Sequence, residues 1–201
     1  MPIGCAAAAM ALYLMNRQFD EYTAIEKLKQ GDWSALETLV RLHQAKALRV
    51  AFLITQDSAM AEDVVAETFL HVATHLEYFD QRRPFEPYLL RSVANAALKA
   101  AQARARQLSL DGNPAVVEAL FEQARSVESQ VEALELARQV NDALQQLSPR
   151  QRLAIVQRYY LEMSEAEMSQ SFGVAPGTIK WLLNAARARL RALLGSDGGQ
   201  R

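Results

Sequence analysis

The sequence contains few of the residues that cross-link or interrupt a chain. Its 201 residues include one cysteine, Cys5, together with 8 glycines and 6 prolines. A single cysteine forms no internal disulfide and no cysteine-based zinc site, which favours a reducing, cytoplasmic compartment. The low glycine and proline content excludes collagen-like and low-complexity chains, and an apolar fraction of 50% excludes a wholly disordered one.

Long hydrophobic runs are also missing. No apolar stretch reaches the roughly 18 residues that span a bilayer, so we expect no stable membrane insertion. The first fifteen residues are apolar, but no Lys or Arg precedes them, as a secretory signal requires. Residues 1–18 are therefore predicted to be a disordered extension or the product of a mis-assigned start, with Met15 as the alternative first residue. Weak membrane anchoring is the less favoured interpretation.

Charge of one sign does not predominate in the whole chain, but it does locally. The 23 acids and 22 bases leave a net charge of −1. Two blocks are acidic: residues 57–81 hold six acids and no Lys or Arg, and residues 107–147 hold seven acids and two bases. Two blocks are basic: residues 82–106 hold six bases and one acid, and residues 148–194 hold seven bases and three acids. The two basic blocks indicate contact with nucleic acid at two places, whereas any single block is equally consistent with a solvated helix face.

Helical periodicity runs along the chain from Phe19 onward, without the alternation that is typical of strands. The turn-forming sequence Leu108-Ser-Leu-Asp-Gly-Asn-Pro114 interrupts it. We therefore predict an all-α fold. Two small helical domains, residues 19–106 and 128–194, are joined by a flexible acidic linker over 107–127 and followed by a tail over 195–201.

Capping residues predict the helices of the first domain. A short helix over 20–29 precedes a long one that Asp32 caps. Asp57 is placed to cap a third helix, and residues 85–106 form a fourth after a turn.

Two capping signatures predict the helices of the second domain. Ser148 and Ser164 are each followed three residues later by Gln or Glu, which is the spacing of a capping box. Gly173 ends the short helix that Ser164 opens, and Pro176 begins a longer one that extends to Leu194. A short helix, a tight turn and a longer basic helix have the proportions of a helix-turn-helix, with an ordinary helical hairpin as the alternative.

The last predicted helix has the character of a DNA reader. It contains four bases and no acid, and its first turn offers free backbone N–H groups to a phosphate. A recognition helix presents side chains near its N-terminus to base edges and those further along to phosphates. These criteria select Thr178, Lys180, Trp181 and Asn184 near the N-terminus, and Arg187 and Arg189 two turns further on.

The second half of the chain contains a set of segments in a fixed order. They are Leu147-Ser-Pro-Arg-Gln-Arg152, Arg158-Tyr-Tyr160, Met163-Ser-Glu-Ala-Glu-Met-Ser-Gln-Ser-Phe-Gly-Val174, Gly177-Thr-Ile-Lys180 and Ala186-Arg-Ala-Arg-Leu190. This set closely resembles the region-four domain of bacterial sigma factors of the small extracytoplasmic-function type. The resemblance adds Arg158 to the expected DNA contacts.

The first half resembles the region-two domain of the same family. Ala61-Glu-Asp-Val-Val-Ala-Glu-Thr-Phe-Leu70 looks like the helix that docks on the polymerase clamp, and Phe85-Glu-Pro-Tyr-Leu-Leu-Arg-Ser-Val-Ala-Asn95 looks like the segment that melts and reads the −10 element. The resemblance implies polymerase contacts at Glu62, Asp63, Glu67 and Phe69, and DNA contacts at Phe85, Tyr88, Arg91 and Asn95.

The implied function is that of a sigma factor, in which the acidic docking helix faces polymerase and the basic blocks face promoter DNA. Such a protein binds core RNA polymerase through the β′ clamp and the β flap, recognises the −10 and −35 elements and assists DNA melting. The sequence has no phosphate-binding glycine-rich loop and no nucleophile motif, so we expect no enzyme activity, catalytic residue, metal or cofactor. Whether an anti-sigma factor is a further partner stays open.

The chain departs from the family pattern in its DNA-reading segments. Tyr88 stands where Trp is usual, and bases are sparse after Asn95. Trp181-Leu182 stands where a Ser-Arg pair is common. These differences bear on the strength of −10 contacts and on the preferred −35 sequence.

Other functions find less support. Glu67, His71 and His75 lie four residues apart and are able to share a metal on one helix face, but no cysteine or further histidine completes the site. His43 is predicted to be a core histidine. A helix-turn-helix regulator that acts without polymerase explains only the second half, and a helical adaptor leaves the acid-free basic helix unexplained.

Overall fold

The fold is all-helical, as predicted. The computed structural model describes residues 3–111 and 127–195, with side chains over 15–107 and 135–195, and these ranges contain no strand. Most of the predicted linker and all but the first residue of the predicted tail lie outside the described residues.

Eight α-helices are present in the described ranges. They are α1 (Ile3–Lys29), α2 (Leu36–Thr55), α3 (Ser58–Thr74), α4 (Phe85–Asp111), α5 (Val127–Gln145), α6 (Pro149–Ile155), α7 (Glu165–Phe172) and α8 (Pro176–Gly195). Short 3-10 turns precede α2 and follow α3, and a π-helical turn, Val156–Tyr160, follows α6.

The first domain is built around α2, which packs on α1, α3 and α4. Its core is made of small and branched apolar side chains from all four helices, including Leu39, Val50, Phe69 and Leu89. His43 lies in this core, as predicted, with its Nε2 2.6 Å from Glu21 Oε2 and its ring edge-on to Phe85. A second carboxylate, that of Glu86, lies 3.5 Å from Nδ1, so a protonated ring has an anion near each nitrogen, although neither nitrogen has a hydrogen bond of good geometry.

Three helix boundaries differ from the predictions. The predicted disordered extension is helical from Ile3, because the alanine-rich sequence before Met15 has high helix propensity. Asp32 caps a 3-10 turn, Trp33–Ala35, that leads directly into α2. Helix α4 continues past Arg106 to Asp111, so it enters the segment predicted as linker.

The second domain owes its helix boundaries to local hydrogen bonds. Both predicted capping boxes form, Ser148 with Gln151 and Ser164 with Glu167. Gly173 ends α7 in the left-handed conformation at φ 63°, which glycine adopts without steric cost. Helices α7 and α8 pack on each other, and α6 packs on α8, so the helix-turn-helix has a core of its own.

A buried arginine joins the two domains. Arg152 Nε donates to the carbonyl of Ile54 at the end of α2 (2.7 Å), and its Nη1 donates to the carbonyl of Leu147 just beyond α5 (3.0 Å). Burial lowers the pKa of Arg152 to about 10, which still leaves it charged at neutral pH. Leu153 and Val156 follow it into the core of the first domain.

We expect Arg152→Met to lower the free energy of unfolding by about 2–3 kcal/mol, because it leaves two buried helix-end carbonyls without a donor. Urea unfolding followed by circular dichroism measures the change. The matched control is Arg150→Met. The Arg150 side chain is exposed, with Cζ 5.9 Å from the centre of the Phe172 ring, and its replacement should change stability by less than about 0.5 kcal/mol. Equal effects of the two substitutions would contradict the assigned role of Arg152.

Candidate nucleic-acid and polymerase interfaces

The helix-turn-helix presents one polar and one apolar side of α8. Ile179 and Leu183 are buried against α6 and α7, and Ala186 is buried in a cluster with Leu144 of α5 and Leu147. The opposite side is exposed and contains most of the residues selected from the sequence, namely Thr178, Lys180, Trp181, Asn184 and Arg189.

Trp181 is the most exposed large apolar side chain of this surface, at 68%. It stands one turn from the N-terminus of α8, beside Lys180, whose Nζ is 4.0 Å from Glu165 Oε2. Because the ring takes no part in the core, its place on the exposed side favours contact with a ligand. An apolar ring at this position suits the methyl group of a thymine or the edge of a sugar.

Arg187 is partly buried and held in place by Tyr159. Its Nε donates to Tyr159 Oη at 2.8 Å, its guanidinium lies 5.8 Å from the centre of that ring, and its Nη1 donates to Asn184 Oδ1 at 3.3 Å. The amide oxygen of Asn184 is thus engaged, so its NH2 group is the part left to donate outward. Tyr159 was not selected from the sequence, because its position depends on the π-helical turn that carries it.

Arg158 has a local structural contact in addition to its exposure. Its Nη1 donates to the carbonyl of Met163 at 3.0 Å, which ties the π-helical turn to the start of α7. The contact holds the approach to the helix-turn-helix and leaves the rest of the exposed guanidinium accessible.

Phe85 does not fit the DNA contact that was predicted for it. Its ring is 1% exposed and packs against His43 and Phe79, because the first turn of α4 faces the core. Tyr88, one turn later, is partly exposed and its ring centre lies 4.9 Å from that of Phe79. Of the two predicted rings, only Tyr88 offers a surface to an unstacked base.

An aromatic side chain that the sequence analysis did not select lies at the turn before α4. Tyr78 is 81% exposed. It ends the 3-10 turn Leu76–Tyr78, and its hydroxyl hydrogen-bonds with Glu77. Arg82 and Arg83 lie in the next turn and are also exposed, and Arg82 pairs with Asp80 at 3.0 Å. An exposed ring followed in the chain by two exposed bases has the composition of a single-strand binding surface. The sequence shows that Tyr78 precedes Tyr88 in the same region, but it does not show that the Tyr78 ring is exposed.

The other two residues predicted to read the −10 element contact the second domain. Arg91 forms an ion pair with Glu167 of α7. Asn95 Oδ1 accepts a hydrogen bond from Ser171 Oγ of the same helix at 2.9 Å. The structure therefore places these α4 residues against α7, and away from the exposed side of α8.

The exposed side of α3 is acidic, as its sequence indicated. Glu62, Asp63 and Glu67 are all exposed, and Leu70 lies with them at 55% exposure. Phe69, predicted as a polymerase contact, is instead 4% exposed and belongs to the core, because it lies on the opposite side of the helix. Leu70 is the apolar side chain that this surface actually offers.

The three residues considered as a metal site do not form one. His75 Nδ1 is 2.8 Å from the carbonyl of His71 and 2.9 Å from Thr74 Oγ1, so one ring nitrogen is already engaged. Over residues 3–111 and 127–195 no three His, Cys, Asp or Glu side chains are grouped as metal ligands. None of the helices described is long and apolar enough to cross a membrane.

Comparison with known families identifies both domains. Residues 39–107 match the description Sigma-70 region 2, and residues 137–190 match Sigma-70, region 4. The ECF RNA polymerase sigma factor SigL of Mycobacterium tuberculosis is 34% identical over 158 residues, which cover 76% of this chain and 84% of SigL. The ECF RNA polymerase sigma factor SigM of Bacillus subtilis is 23% identical over 158 residues, covering 79% of this chain and 94% of SigM.

Two solved structures have the same fold. CnrH, determined in complex with the cytosolic domain of CnrY, superposes with a TM-score of 0.57 at 25% identity, covering 89% of this chain and 99% of that one. The sigma factor RpoE of Bartonella quintana, determined with the anti-sigma factor NepR, gives a TM-score of 0.60 at 24% identity, covering 80% and 97%.

Glu167 generates a prediction about acid stability. Hydrogen bonds from the backbone and side chain of Ser164, followed by that from Arg91, lower its pKa from 4.5 to about 2. A carboxylate with a lowered pKa stabilises the fold above pH 4.5, and this contribution is lost as the pH falls towards 2. Because the side chain is 41% exposed, solvent screening reduces the contribution to about 1 kcal/mol.

Unfolding by urea at pH 6 and at pH 2.5 tests this prediction. The wild type should lose about 1 kcal/mol more stability between the two pH values than Glu167→Gln, which keeps a capping-box residue but does not titrate. Equal losses in the two proteins would show that the charge of Glu167 does not contribute to the free energy of unfolding.

Proposed function

Because the chain belongs to the sigma-70 family of RNA polymerase sigma factors, in its extracytoplasmic-function group, we propose how its surfaces divide the work of promoter-specific initiation. The protein binds core RNA polymerase and promoter DNA. The first domain docks on the polymerase clamp and reads the −10 element. The second domain reads the −35 element and faces the β flap.

The observation that carries this proposal is the exposed side of α8. Between residues 176 and 195 the helix has four bases and no acid, and its apolar side is buried against its own domain. Thr178, Lys180, Trp181 and Asn184 occupy its first two turns, where a recognition helix meets base edges. Arg187 and Arg189 lie further along the helix, where a recognition helix contacts the phosphates that flank its site.

The exposed acids of α3 support the docking assignment. Like charge without any Lys or Arg in residues 57–81 suits a basic partner surface. Leu70, one turn beyond Glu67, adds an exposed apolar side chain to this acidic side of the helix. A helix-turn-helix regulator that acts without polymerase has no use for this surface and is the less favoured function.

On the −10 side we assign single-strand contact to Tyr88, Arg91 and Asn95, and we add Tyr78 and Arg82. The exposed ring of Tyr78 is suited to stacking on an unstacked base, and a stacked base contributes roughly 1–3 kcal/mol to binding. Phe85 supports this surface from the core without touching DNA.

The remaining assignments follow from the family. Its members are initiation factors, so we assign no catalysis, catalytic residue or cofactor to the chain. We place the protein in the cytoplasm, where core polymerase works. An anti-sigma factor is a proposed further partner, since the Bartonella RpoE was solved with the anti-sigma factor NepR.

Transcription with purified core RNA polymerase tests the function directly. The template is total genomic DNA from the source organism, and the 5′ ends of the transcripts are sequenced. A sigma factor makes core start at defined sites that share two upstream elements, whereas a regulator without polymerase docking leaves core starting at random. The elements recovered in this way supply the probes for the following experiments.

We expect Asp63→Lys with Glu67→Lys to abolish capture of core polymerase in a pull-down, because two exposed acids of the docking surface change sign. Helix content measured by circular dichroism should not change. The matched control replaces Asp20 and Asp142, exposed acids on α1 and α5, with Lys and therefore alters net charge equally. Retained capture by the α3 variant would show that the acids of α3 are only solvated.

Promoter binding by holoenzyme over a salt series tests α8. Arg187→Ala and Arg189→Ala should each flatten the dependence of log affinity on log salt by about 0.9, because each loses one phosphate contact. Tyr159→Phe removes the acceptor of Arg187 Nε and should also flatten this salt dependence, but by a smaller amount. The control is Arg49→Ala on the exposed side of α2, for which the slope should not change.

Base substitutions in the −35 element separate readers from phosphate contacts. Lys180→Ala and Asn184→Ala should relax discrimination at one or two positions, at a cost of roughly 1–3 kcal/mol for the preferred sequence. Unaltered slope and unaltered sequence preference in all of the α8 variants would remove the DNA-reading role from this helix.

A further inference from the structure

The connection between α3 and α4, residues 75–84, contains Tyr78 and Arg82 of the proposed −10 contacts. Hydrogen bonds between its backbone groups are local, as in that from the N–H of Arg83 to the carbonyl of Asp80 at 3.0 Å. Such bonds shape a turn, but they do not fix where the turn lies on the rest of the domain. The placement of Tyr78 therefore depends on contacts that reach the connection from other elements.

Phe79 is the residue that anchors this connection to the core. It is 8% exposed, and its ring centre lies 5.6 Å from that of Phe85 and 4.9 Å from that of Tyr88. It also follows Tyr78 directly in the chain. A displacement of Phe79 therefore changes the position of the Tyr78 ring relative to the Tyr88 ring, and these are the two rings assigned to unstacked bases.

Lys29, in the last turn of α1, holds the backbone of Phe79 from outside the connection. Its Nζ donates to the carbonyl of Phe79 at 3.0 Å, across 50 residues of sequence. A basic residue in the last turn of a helix is favoured by the helix dipole alone. That preference gives no reason for the ammonium group to reach a carbonyl on another element, and a charged donor makes a stronger hydrogen bond than a neutral one.

The charge of Lys29 also acts on Asp80, the acid that orients Arg82. Asp80 Oδ1 accepts from Arg82 Nε at 3.0 Å and from the Arg82 backbone N–H at 3.1 Å. These two hydrogen bonds lower the pKa of Asp80 most, and the charges of Arg83 and Lys29 lower it further. Lys29 thus lies close to the carbonyl that anchors the connection and to the carboxylate that orders its second half.

Helix α1 contacts the start of α4 at a second point. Arg17 Nη2 is 3.6 Å from Glu86 Oε2, in the first turn of α4, and donates to the carbonyl of Leu42 in α2 at 2.7 Å. Arg17 and Lys29 lie about 18 Å apart along α1, at a rise of about 1.5 Å per residue. Both ends of segment 79–86 are therefore held against one helix.

We propose that Lys29 is a positioning residue for −10 recognition, which acts by holding the Phe79 carbonyl and so fixing the connection that presents Tyr78. Lys29 itself does not contact DNA. The proposal rests on the proposed function for the role of the Tyr78 ring, but the hold on the connection is a property of the free chain.

Amide hydrogen exchange in the free, full-length chain tests this hold. In Lys29→Met the amides of residues 76–83 should exchange about three- to tenfold faster than in the wild type, because a hydrogen bond that opposes local opening is lost. Lys29→Arg keeps charged N–H donors and should exchange within about twofold of the wild type. The control is Lys27→Met, which removes an exposed charge from the same helix turn and should leave these amides unchanged. Equal exchange in the two Met variants would overturn the proposal.

Binding of the single-stranded −10 sequence recovered from the mapped promoters separates positioning from direct contact. Holoenzyme with Lys29→Met should bind this strand about three- to tenfold more weakly at every salt concentration, because fewer molecules present Tyr78 correctly. The dependence of log affinity on log salt should keep its slope, and capture of core polymerase should not change. A slope flattened by about 0.7, as expected for one lost phosphate contact on a single strand, would show that Lys29 contacts DNA and would overturn the proposal.

A double-mutant cycle identifies the side chain that Lys29 positions. Tyr78→Ala should weaken binding of the same strand about fivefold or more when Lys29 is present, because a stacked base is lost. In the Lys29→Met background it should weaken binding by less than about twofold, because the ring is already displaced. Effects of the two substitutions that simply multiply would overturn the proposal. No effect of Tyr78→Ala in the presence of Lys29 would instead reject the role of Tyr78 in the proposed function, and hydrogen exchange would still decide whether Lys29 holds the connection.

Discussion

The guanidinium of Arg152 occupies the point where two helices from different domains end. The last carbonyls of a helix have no partner within it, and Arg152 donates to that of Ile54 in α2, to that of Gln145 at the end of α5 (3.5 Å) and to that of Leu147 just beyond α5. A positive charge at the negative ends of two helix dipoles is favourable, and burial strengthens the interaction while lowering the pKa of the group to about 10. Because Arg152 lies in α6, its contacts fix where the helix-turn-helix domain sits on the first domain. The contact between α7 and α4 depends on that placement.

Glu167 shows how one side chain serves both local and tertiary structure. It completes the capping box that starts α7, and the same carboxylate pairs with Arg91 of the other domain. A carboxylate has enough acceptor sites for both partners. Loss of its charge therefore weakens the start of a helix and the contact between domains together.

Charge separates the surfaces of this sigma factor by partner. The acids of α3 are exposed, which suits a basic partner surface, whereas α8 contains bases and no acids. The near-zero net charge of the chain hides this division, because the two kinds of surface cancel in the sum. Steering towards DNA and towards polymerase depends on local fields, which extend only about 10 Å at moderate salt.

Much of the local structure could be predicted from the sequence, because a cap, a turn glycine or an amphipathic stripe involves residues three or four positions apart. The boxes at Ser148 and Ser164, the C-cap at Gly173 and the buried side of α8 formed as their patterns indicated. Phe69 repeats with Ala61, Val64 and Val72 at helical spacing, so the pattern itself indicated its burial, and only the resemblance suggested a polymerase contact. The burial of Phe85, which opens α4, depends on the neighbouring helices and could not be predicted in this way. The same holds for the contacts of Arg91 with Glu167, 76 residues away, and of Arg152 with Ile54, 98 residues away. Such pairs meet only when the packing of two domains brings them together, so tertiary structure alone decided which DNA-reading residues are exposed and which are covered.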